Sequence, residues 1–174
     1  MSRTRVLIAD DERSSARALA NSLSSERDIA YVGIADCGQS AYDLTFGLEP
    51  DVVVVARRLD DGNGIAVTAE LKYRFPELRV IVLTDVFDTE LVPRAAAARA
   101  SALLPHDGRL AELLDVIRDD DSDEFVVHPR VLGPYLSNAS PMLTRSTIGV
   151  SPAKTARPVA TVSGWLESLV AMTR

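Results

Sequence analysis

The chain alternates short runs of apolar, often β-branched residues with longer stretches in which apolar residues recur at helical spacing. The four consecutive valines that begin at Val52 form the clearest run, and they are typical of a strand buried on both faces. Ala16, Leu19 and Leu23 mark the apolar face of a helix. The pattern predicts strands over residues 6–9, 29–35, 52–55, 80–83 and 101–104, and helices over 12–25, 38–48, 65–75, 88–99 and 108–118.

Five repeats of a strand followed by a helix indicate the fold class. The order is typical of α/β proteins, because parallel strands need a crossover between them and a helix supplies it. Right-handed crossovers place helices on both faces of the sheet. We therefore predict a doubly wound, flavodoxin-like domain with a five-stranded parallel sheet over residues 1–118. The chain has 174 residues, so a substantial remainder follows this domain.

The remainder begins with an acidic run at residues 119–124, which indicates a solvated linker that we assign to 119–128. Residues 129–137 are predicted to form a short helix that starts at Pro129. Beyond it the chain is rich in Ser, Thr, Pro and Ala, and Pro141, Pro152 and Pro158 interrupt helical patterns. Only residues 162–172 regain helical spacing. We interpret residues 129–174 as a short helix and a degenerate or disordered tail.

Charge and cysteine content narrow the class of protein. The formal net charge is -6, which argues against a chain built around nucleic acid or an anionic membrane surface. Cys37 is the only cysteine, so an intrachain disulfide and a thiolate metal cluster are excluded. No apolar run is long enough for a signal peptide or a membrane span. We expect a soluble, cytoplasmic protein with no membrane partner.

Functional residues of open parallel sheets collect at the carboxyl ends of the strands. Asp10 and Asp11 follow the first predicted strand, Ala56 the third and Thr84 the fourth, and His106 lies just past the fifth. Two adjacent carboxylates offer the oxygen ligands that Mg²⁺ prefers, and a nearby hydroxyl can bond a phosphoryl oxygen. The sequence therefore predicts a pocket at this edge of the sheet.

The segments VLIADDE, PDVVVVA with DDGNG, VIVLTD and ASALLPH, in this order, resemble the receiver domain of bacterial response regulators. The resemblance covers about residues 4–118, and the spacing is most similar to receivers that precede a LuxR-type helix-turn-helix (the NarL/FixJ-like subfamily). It implies that Asp10 and Asp11 form the family's acid pair and that Thr84 is its hydroxyl residue. The Pro-Asp pair before the third strand and Gly64 also match.

The departures from the family pattern change the expected chemistry. Ala56 stands where the family has its phosphoacceptor aspartate, and a methyl group has no nucleophilic oxygen to form an acyl phosphate. His106 replaces the family's lysine, and Leu103 replaces its switch aromatic. A Mg²⁺ site would lack one carboxylate, so we expect at most a weak or vestigial site at Asp10 and Asp11 and no other cofactor. With no nucleophile–base pair visible, we do not expect an enzyme.

Each pocket position also has a structural interpretation. The acid pair can cap the first helix, Thr84 can bond to backbone, and His106 can be a surface-loop residue. Arg57 and Arg58 directly follow the third strand, which is an unusual position, and we count Arg58 among the pocket residues. These arginines can form ion pairs that lock the pocket, with candidate partners Asp10, Asp11 and Asp60.

The leading functional hypothesis is a phosphorylation-independent signalling module in transcription regulation. It would act as a homodimer or by binding another regulator protein. The resemblance implies that the fourth and fifth helices supply the contact surface. Residues 95–98 are all alanine and lie between Arg94 and Arg99, so we expect a close-packing patch there.

The residues after Ser140 suggest two other functions. They are too few for an intact helix-turn-helix domain, so we interpret the output region as truncated or degenerate. One alternative is a transcription factor that binds DNA weakly through the basic side chains of this tail, Arg145, Lys154 and Arg157. The other is a small-molecule sensor that uses the vacant acidic pocket.

Overall fold

The computed structural model describes residues 3–119, 124–138 and 160–162. Its strands are β1 (Thr4–Ala9), β2 (Ile29–Ala35), β3 (Val52–Ala56), β4 (Arg58–Leu59), β5 (Gly62–Asn63), β6 (Arg79–Thr84), β7 (Ala102–Pro105), β8 (Phe125–Val127) and β9 (Ala160–Val162). Its helices are α1 (Arg13–Ser24), α2 (Gly38–Leu48), α3 (Gly64–Arg74), α4 (Leu91–Ala97), α5 (Leu110–Arg118) and α6 (Pro129–Asn138). Within the described ranges, none of these helices is both long enough and apolar enough to cross a bilayer.

The main sheet has the doubly wound order predicted from the repeats. Strands β2, β1, β3, β6 and β7 lie side by side in that order and are parallel, and helices connect successive strands. The five predicted strands and five predicted helices of residues 1–118 are all present, with shifted ends. The fold class is therefore confirmed.

The sheet extends beyond the five predicted strands, which corrects both the strand count and the extent of the linker. Strand β8 lies inside the segment predicted as a linker and pairs in parallel with β7. The amide of Val126 donates to the carbonyl of Ser101 at 3.0 Å, and the amide of His128 donates to that of Leu103 at 3.0 Å. Val127 is fully buried. The apolar run that forms β8 is only three residues long. Because it directly follows the acidic run, the sequence pattern did not predict a strand there.

Strand β9 adds a seventh, antiparallel strand beside β8. The sequence interpretation had placed only a helical pattern from residue 162 onward in this part of the tail. The other tail residues, 139–159 and 163–174, lie outside the described residues, and so do the candidate DNA contacts Arg145, Lys154 and Arg157.

The core forms on both faces of the sheet because successive strand residues point to opposite sides. On one face, Val52 and Val54 pack in a cluster with residues of α1 and α5. On the other, Val53 and Val55 pack with residues of α2 and α3. A third cluster joins α4, β7, β8 and α6. All four valines are buried, as the unbroken apolar run predicted.

Helix α6 matches the short helix predicted at residues 129–137, and it packs on the domain. Val131 is fully buried and Leu132 is 6% exposed, in the same cluster as Leu91 and Val92 of α4. The prediction of a close-packing surface patch at residues 95–98 is wrong in part. Ala95 and Ala98 point into this cluster, because only one face of a short helix can remain exposed. The α4 surface is thus partly covered by the chain itself.

Candidate functional site

The carboxyl edge of the sheet brings the predicted pocket residues together. Asp10 follows β1, Ala56 ends β3, Thr84 ends β6 and His106 follows β7, and these strands are neighbours in the sheet. The ladder pairs Ala56 with Leu83, one residue before Thr84. The parallel register, which the sequence predicted only in outline, therefore brings these strand ends together.

Asp10 is the buried acid of the pair, with 6% exposure, whereas Asp11 is half-buried. One carboxylate oxygen of Asp10 accepts a hydrogen bond from the Glu12 amide at 3.0 Å, just before α1 begins. Its other oxygen lies 3.6 Å from His106 Nε2. The same nitrogen lies 3.1 Å from the Ser15 hydroxyl. Asp10 thus organises the start of α1 and contacts the residue that replaces the family's lysine.

Thr84 is fully buried, and its hydroxyl is occupied by its own loop. Thr84 Oγ1 donates to the carbonyl of Val86 at 2.7 Å and accepts from the amide of Val86 at 3.1 Å. Both hydrogen bonds are local, so the hydroxyl closes the turn that follows β6. This geometry matches the structural interpretation of Thr84.

Ala56 and Gly64 are held against each other where the chain turns after β3. The Ala56 side chain is buried. The amide of Gly64 donates to the carbonyl of Arg57 at 2.7 Å. A Cβ added at Gly64 would lie 2.1 Å from the Ala56 carbonyl oxygen, which is far inside van der Waals contact. Only glycine fits this approach, which gives a physical reason for the family's glycine at this position.

The arginines after β3 do not form the predicted ion pairs with the pocket acids. Arg57 pairs instead with Asp88 in the loop between β6 and α4, at 3.3 Å. The Arg57 side chain is 19% exposed. Arg58 lies in the short β4–β5 hairpin with its side chain exposed. The Arg57 guanidinium therefore links the end of β3 to the β6–α4 loop, rather than to β1.

Leu103, at the family's switch position, is fully buried in the middle of β7. It belongs to the cluster that contains Val131 and Leu132 of α6. The sequence analysis placed Leu103 near the pocket but did not predict that residues of α6 share its cluster. The β8–α6 segment fixes its surroundings.

Three residues of this region were missed from the sequence. Ser15 lies four positions after Asp11, so helical spacing could have placed it near the pocket. Asp88 and Arg130 had no such local signal, because their partners lie far away in the sequence.

The pocket residues do not fit the Mg²⁺ ion that receivers bind. Among the described residues, no group of three or more His, Cys, Asp and Glu side chains is placed to hold a metal ion. The Ala56 side chain supplies no oxygen, and one oxygen of Asp10 already accepts the Glu12 amide. The acid pair alone leaves most of the six ligand positions of Mg²⁺ to water.

A cavity of about 240 Å³ lies beside the acidic pocket, between α1 and α5. Its floor includes Leu19, Leu83 and Leu104, and its rim includes Ser15 and His106. His106 thus borders both the cavity and the Asp10 carboxylate. This apolar groove offers space for a small ligand beside the acidic pocket that the sequence suggested.

Comparison with known proteins agrees with the fold. Residues 6–118 match the response regulator receiver domain. The response regulator protein VraR of Staphylococcus epidermidis is 27% identical over 128 residues, which are 74% of this chain and 61% of VraR. The chain therefore matches about three-fifths of the length of that relative.

Solved structures show the same architecture. The receiver domain of the putative response regulator NarL from Mycobacterium tuberculosis superposes with a TM-score of 0.63 and 24% identity, over 68% of this chain and 99% of that one. A LuxR-family two-component response regulator from Aurantimonas gives a TM-score of 0.69 and 20% identity, over 78% and 97%. The match over residues 6–118 includes every strand end of the pocket. This chain belongs to the response regulator receiver domain family of two-component signalling.

Proposed function

We propose that this protein is a phosphorylation-independent receiver that signals through protein contacts in the cytoplasm, without catalysing a reaction. The observation that carries the proposal is Ala56, a buried methyl group at the position of the phosphoacceptor aspartate. No oxygen is available there to attack a phosphodonor. The pocket acids do not compensate, because Asp10 is engaged by the Glu12 amide and lies next to His106.

The surroundings of Ala56 support a fixed rather than a switching domain. Thr84 is bonded twice to Val86, and Arg57 pairs with Asp88. Both contacts hold the loop between β6 and α4, which begins at the hydroxyl residue of the family pattern. A domain with these contacts and no phosphoacceptor holds one state of the loop.

The partner we propose is a second copy or another regulator protein in transcription control. A solved neighbour supports a role in transcription control, since it is described as a DNA-binding response regulator of the LuxR family from Staphylococcus aureus. Direct DNA binding by this chain would need the basic tail residues. Loss of all binding near physiological salt in a gel-shift assay would argue against that role.

The test is incubation with acetyl phosphate and Mg²⁺, followed by intact mass measurement. We expect no phosphoryl adduct on this chain, while a receiver that retains its aspartate is labelled under the same conditions. Beryllofluoride with Mg²⁺ should likewise leave the amide NMR spectrum unchanged. An adduct on any pocket acid would overturn the proposal.

A second candidate function is small-molecule sensing in the cavity between α1 and α5. Its apolar floor and the polar rim at Ser15 and His106 favour a small amphipathic ligand. A thermal-shift screen against a metabolite panel tests this role. A stabilising compound should lose its effect in Ala18→Trp, which fills the cavity, and keep it in Ala97→Trp, an exposed position on α4.

A further inference from the structure

The cavity between α1 and α5 combines an apolar floor with a volume that suits a small molecule. Leu19, Leu83 and Leu104 line the floor, and the cavity measures about 240 Å³. An apolar cavity of about 150 Å³ is large enough to bind benzene, whereas pockets for drug-sized ligands measure about 300–1,000 Å³. The space therefore suits one ring or one short chain that carries a single polar head.

The charged side chains that line this cavity are a histidine, an arginine and a glutamate: His106, Arg109 and Glu112. The guanidinium of Arg109 is exposed and has no hydrogen-bond or ion-pair partner among the residues that the structure describes. Glu112 is already engaged, because its carboxylate lies 3.3 Å from Nε2 of His128. The cavity thus presents one uncompensated positive charge, while its negative charge has a partner.

The imidazole of His106 lies between the cavity and the acidic pocket. Its Nε2 is 3.1 Å from the Ser15 hydroxyl and 3.6 Å from a carboxylate oxygen of Asp10. The other carboxylate oxygen of Asp10 accepts the Glu12 amide just before α1 begins. A molecule that contacts His106 from the cavity therefore meets a ring that also contacts the start of α1.

We propose that this cavity binds a small monocarboxylic acid, with its apolar body on the leucine floor and its carboxylate at Arg109 and His106. One unpaired guanidinium matches one carboxylate, because the two form charge-assisted, often bidentate hydrogen bonds. An ammonium head would be repelled by Arg109, and a neutral amide would gain no attraction between opposite charges. This inference names the ligand class for the second candidate function, small-molecule sensing in this cavity, and rests on it.

The first part of the test compares three probes that share a phenyl ring and differ in the head group: phenylacetate, phenylacetamide and phenethylamine. Each is titrated into the isotope-labelled full chain, and amide NMR spectra give the dissociation constant. We expect phenylacetate to bind about fivefold more tightly than phenylacetamide, the size of a partly exposed charge-assisted contact, and phenethylamine to bind most weakly. The amides of Ser15, Leu104 and Gly108, which line the cavity, should shift.

The second part removes the positive charge. Arg109→Met keeps an apolar stem at an exposed position, so we expect the fold to persist and the fivefold preference for phenylacetate to disappear. Its affinity for phenylacetamide should stay unchanged. The matched control is Arg94→Met, an exposed arginine of α4 that does not line the cavity. It changes the net charge equally and should keep the preference. Ala18→Trp, which fills the cavity, should weaken binding of both the acid and the amide.

The outcomes separate the ligand class from the sensing role itself. A preference for phenylacetate that disappears in Arg109→Met and persists in Arg94→Met supports the inference. Equal binding of acid and amide, tighter binding of the amine, or a preference that survives Arg109→Met overturns it and leaves sensing of another class of molecule standing. Absence of any shift with all three probes also overturns it, whereas the sensing role fails only if the thermal-shift screen finds no stabilising compound.

Discussion

The guanidinium of Arg57 lies 3.3 Å from the carboxylate of Asp88, a residue 31 positions later in the chain. This contact joins the end of β3, next to Ala56, to the loop between β6 and α4. The same loop is held by Thr84 through Val86 and by Arg130 over Phe87. Three contacts from different parts of the chain therefore converge on the loop between β6 and α4.

The Arg57–Asp88 pair should make a measurable contribution to the free energy of unfolding. In a double-mutant cycle with Arg57→Ala and Asp88→Asn, we expect a coupling energy of about 0.5–1 kcal/mol, because the arginine is mostly buried while Asp88 is partly exposed. Urea unfolding measures it. The exposed Glu70–Arg74 pair within α3 is the control and should give about 0.3–0.5 kcal/mol. A coupling of zero for Arg57 and Asp88 would show that the contact does not hold the loop.

Replacing Gly64 should destabilise the domain severely. The Cβ of Gly64→Ala would meet the Ala56 carbonyl oxygen, which belongs to the backbone and cannot move aside cheaply. We expect a loss of about 3 kcal/mol or more in the free energy of unfolding. Gly62→Ala is the matched control, since its Cβ would meet no atom within 4 Å, and its effect should stay within about 0.5 kcal/mol. Comparable losses for the two variants would contradict the steric explanation.

Acid should weaken the domain through carboxylates that are hydrogen-bonded in the folded state. The Gly38 amide lowers the pKa of Asp61, and the side chain of Arg118 lowers that of Asp28. A lowered folded pKa means that the stabilisation is complete above the usual value of 3.8 and is lost as the pH falls through the folded pKa.

Urea unfolding of the wild type and of Asp61→Asn between pH 6 and about pH 2 tests this dependence. The asparagine oxygen can still accept the Gly38 amide but does not titrate in this range. We expect the stability of the variant to fall less steeply than that of the wild type below pH 4. Parallel profiles would show that Asp61 has no part in the acid response.

The packing of α6 should contribute to the stability of the whole domain. Val131→Ala removes two methyl groups from a fully buried site, and we expect a loss of about 2 kcal/mol in the free energy of unfolding. Val86→Ala makes the same chemical change at a side chain that is 38% exposed, and we expect less than about 1 kcal/mol. If the two variants were equally stable, α6 would not be part of the cooperative unit.

The sequence alone was sufficient for the doubly wound domain and for the absence of a carboxylate at position 56. Both follow from local information. The spacing of hydrophobic residues distinguishes the strands from the helices. The parallel order of the strands brings their carboxyl ends to one edge of the sheet. The side chain of alanine is a methyl group, which cannot act as a nucleophile. The bond from the Glu12 amide to Asp10 and the local bonding of Thr84 could not be predicted, because they depend on which atoms are within reach.

Tertiary structure decided the contacts between distant parts of the chain. Asp88 was not predicted as the partner of Arg57. Strand β8 was not predicted because its three residues follow an acidic run. Ala95 of α4 shares a core cluster with Val131 and Leu132 of α6, a helix more than thirty residues later in the chain. Such pairings are set by the packing of separate elements, which local periodicity does not encode. The strands and the methyl group at position 56 are therefore visible in the sequence, whereas the packing of α6 against α4 and β7 appears only in the folded chain.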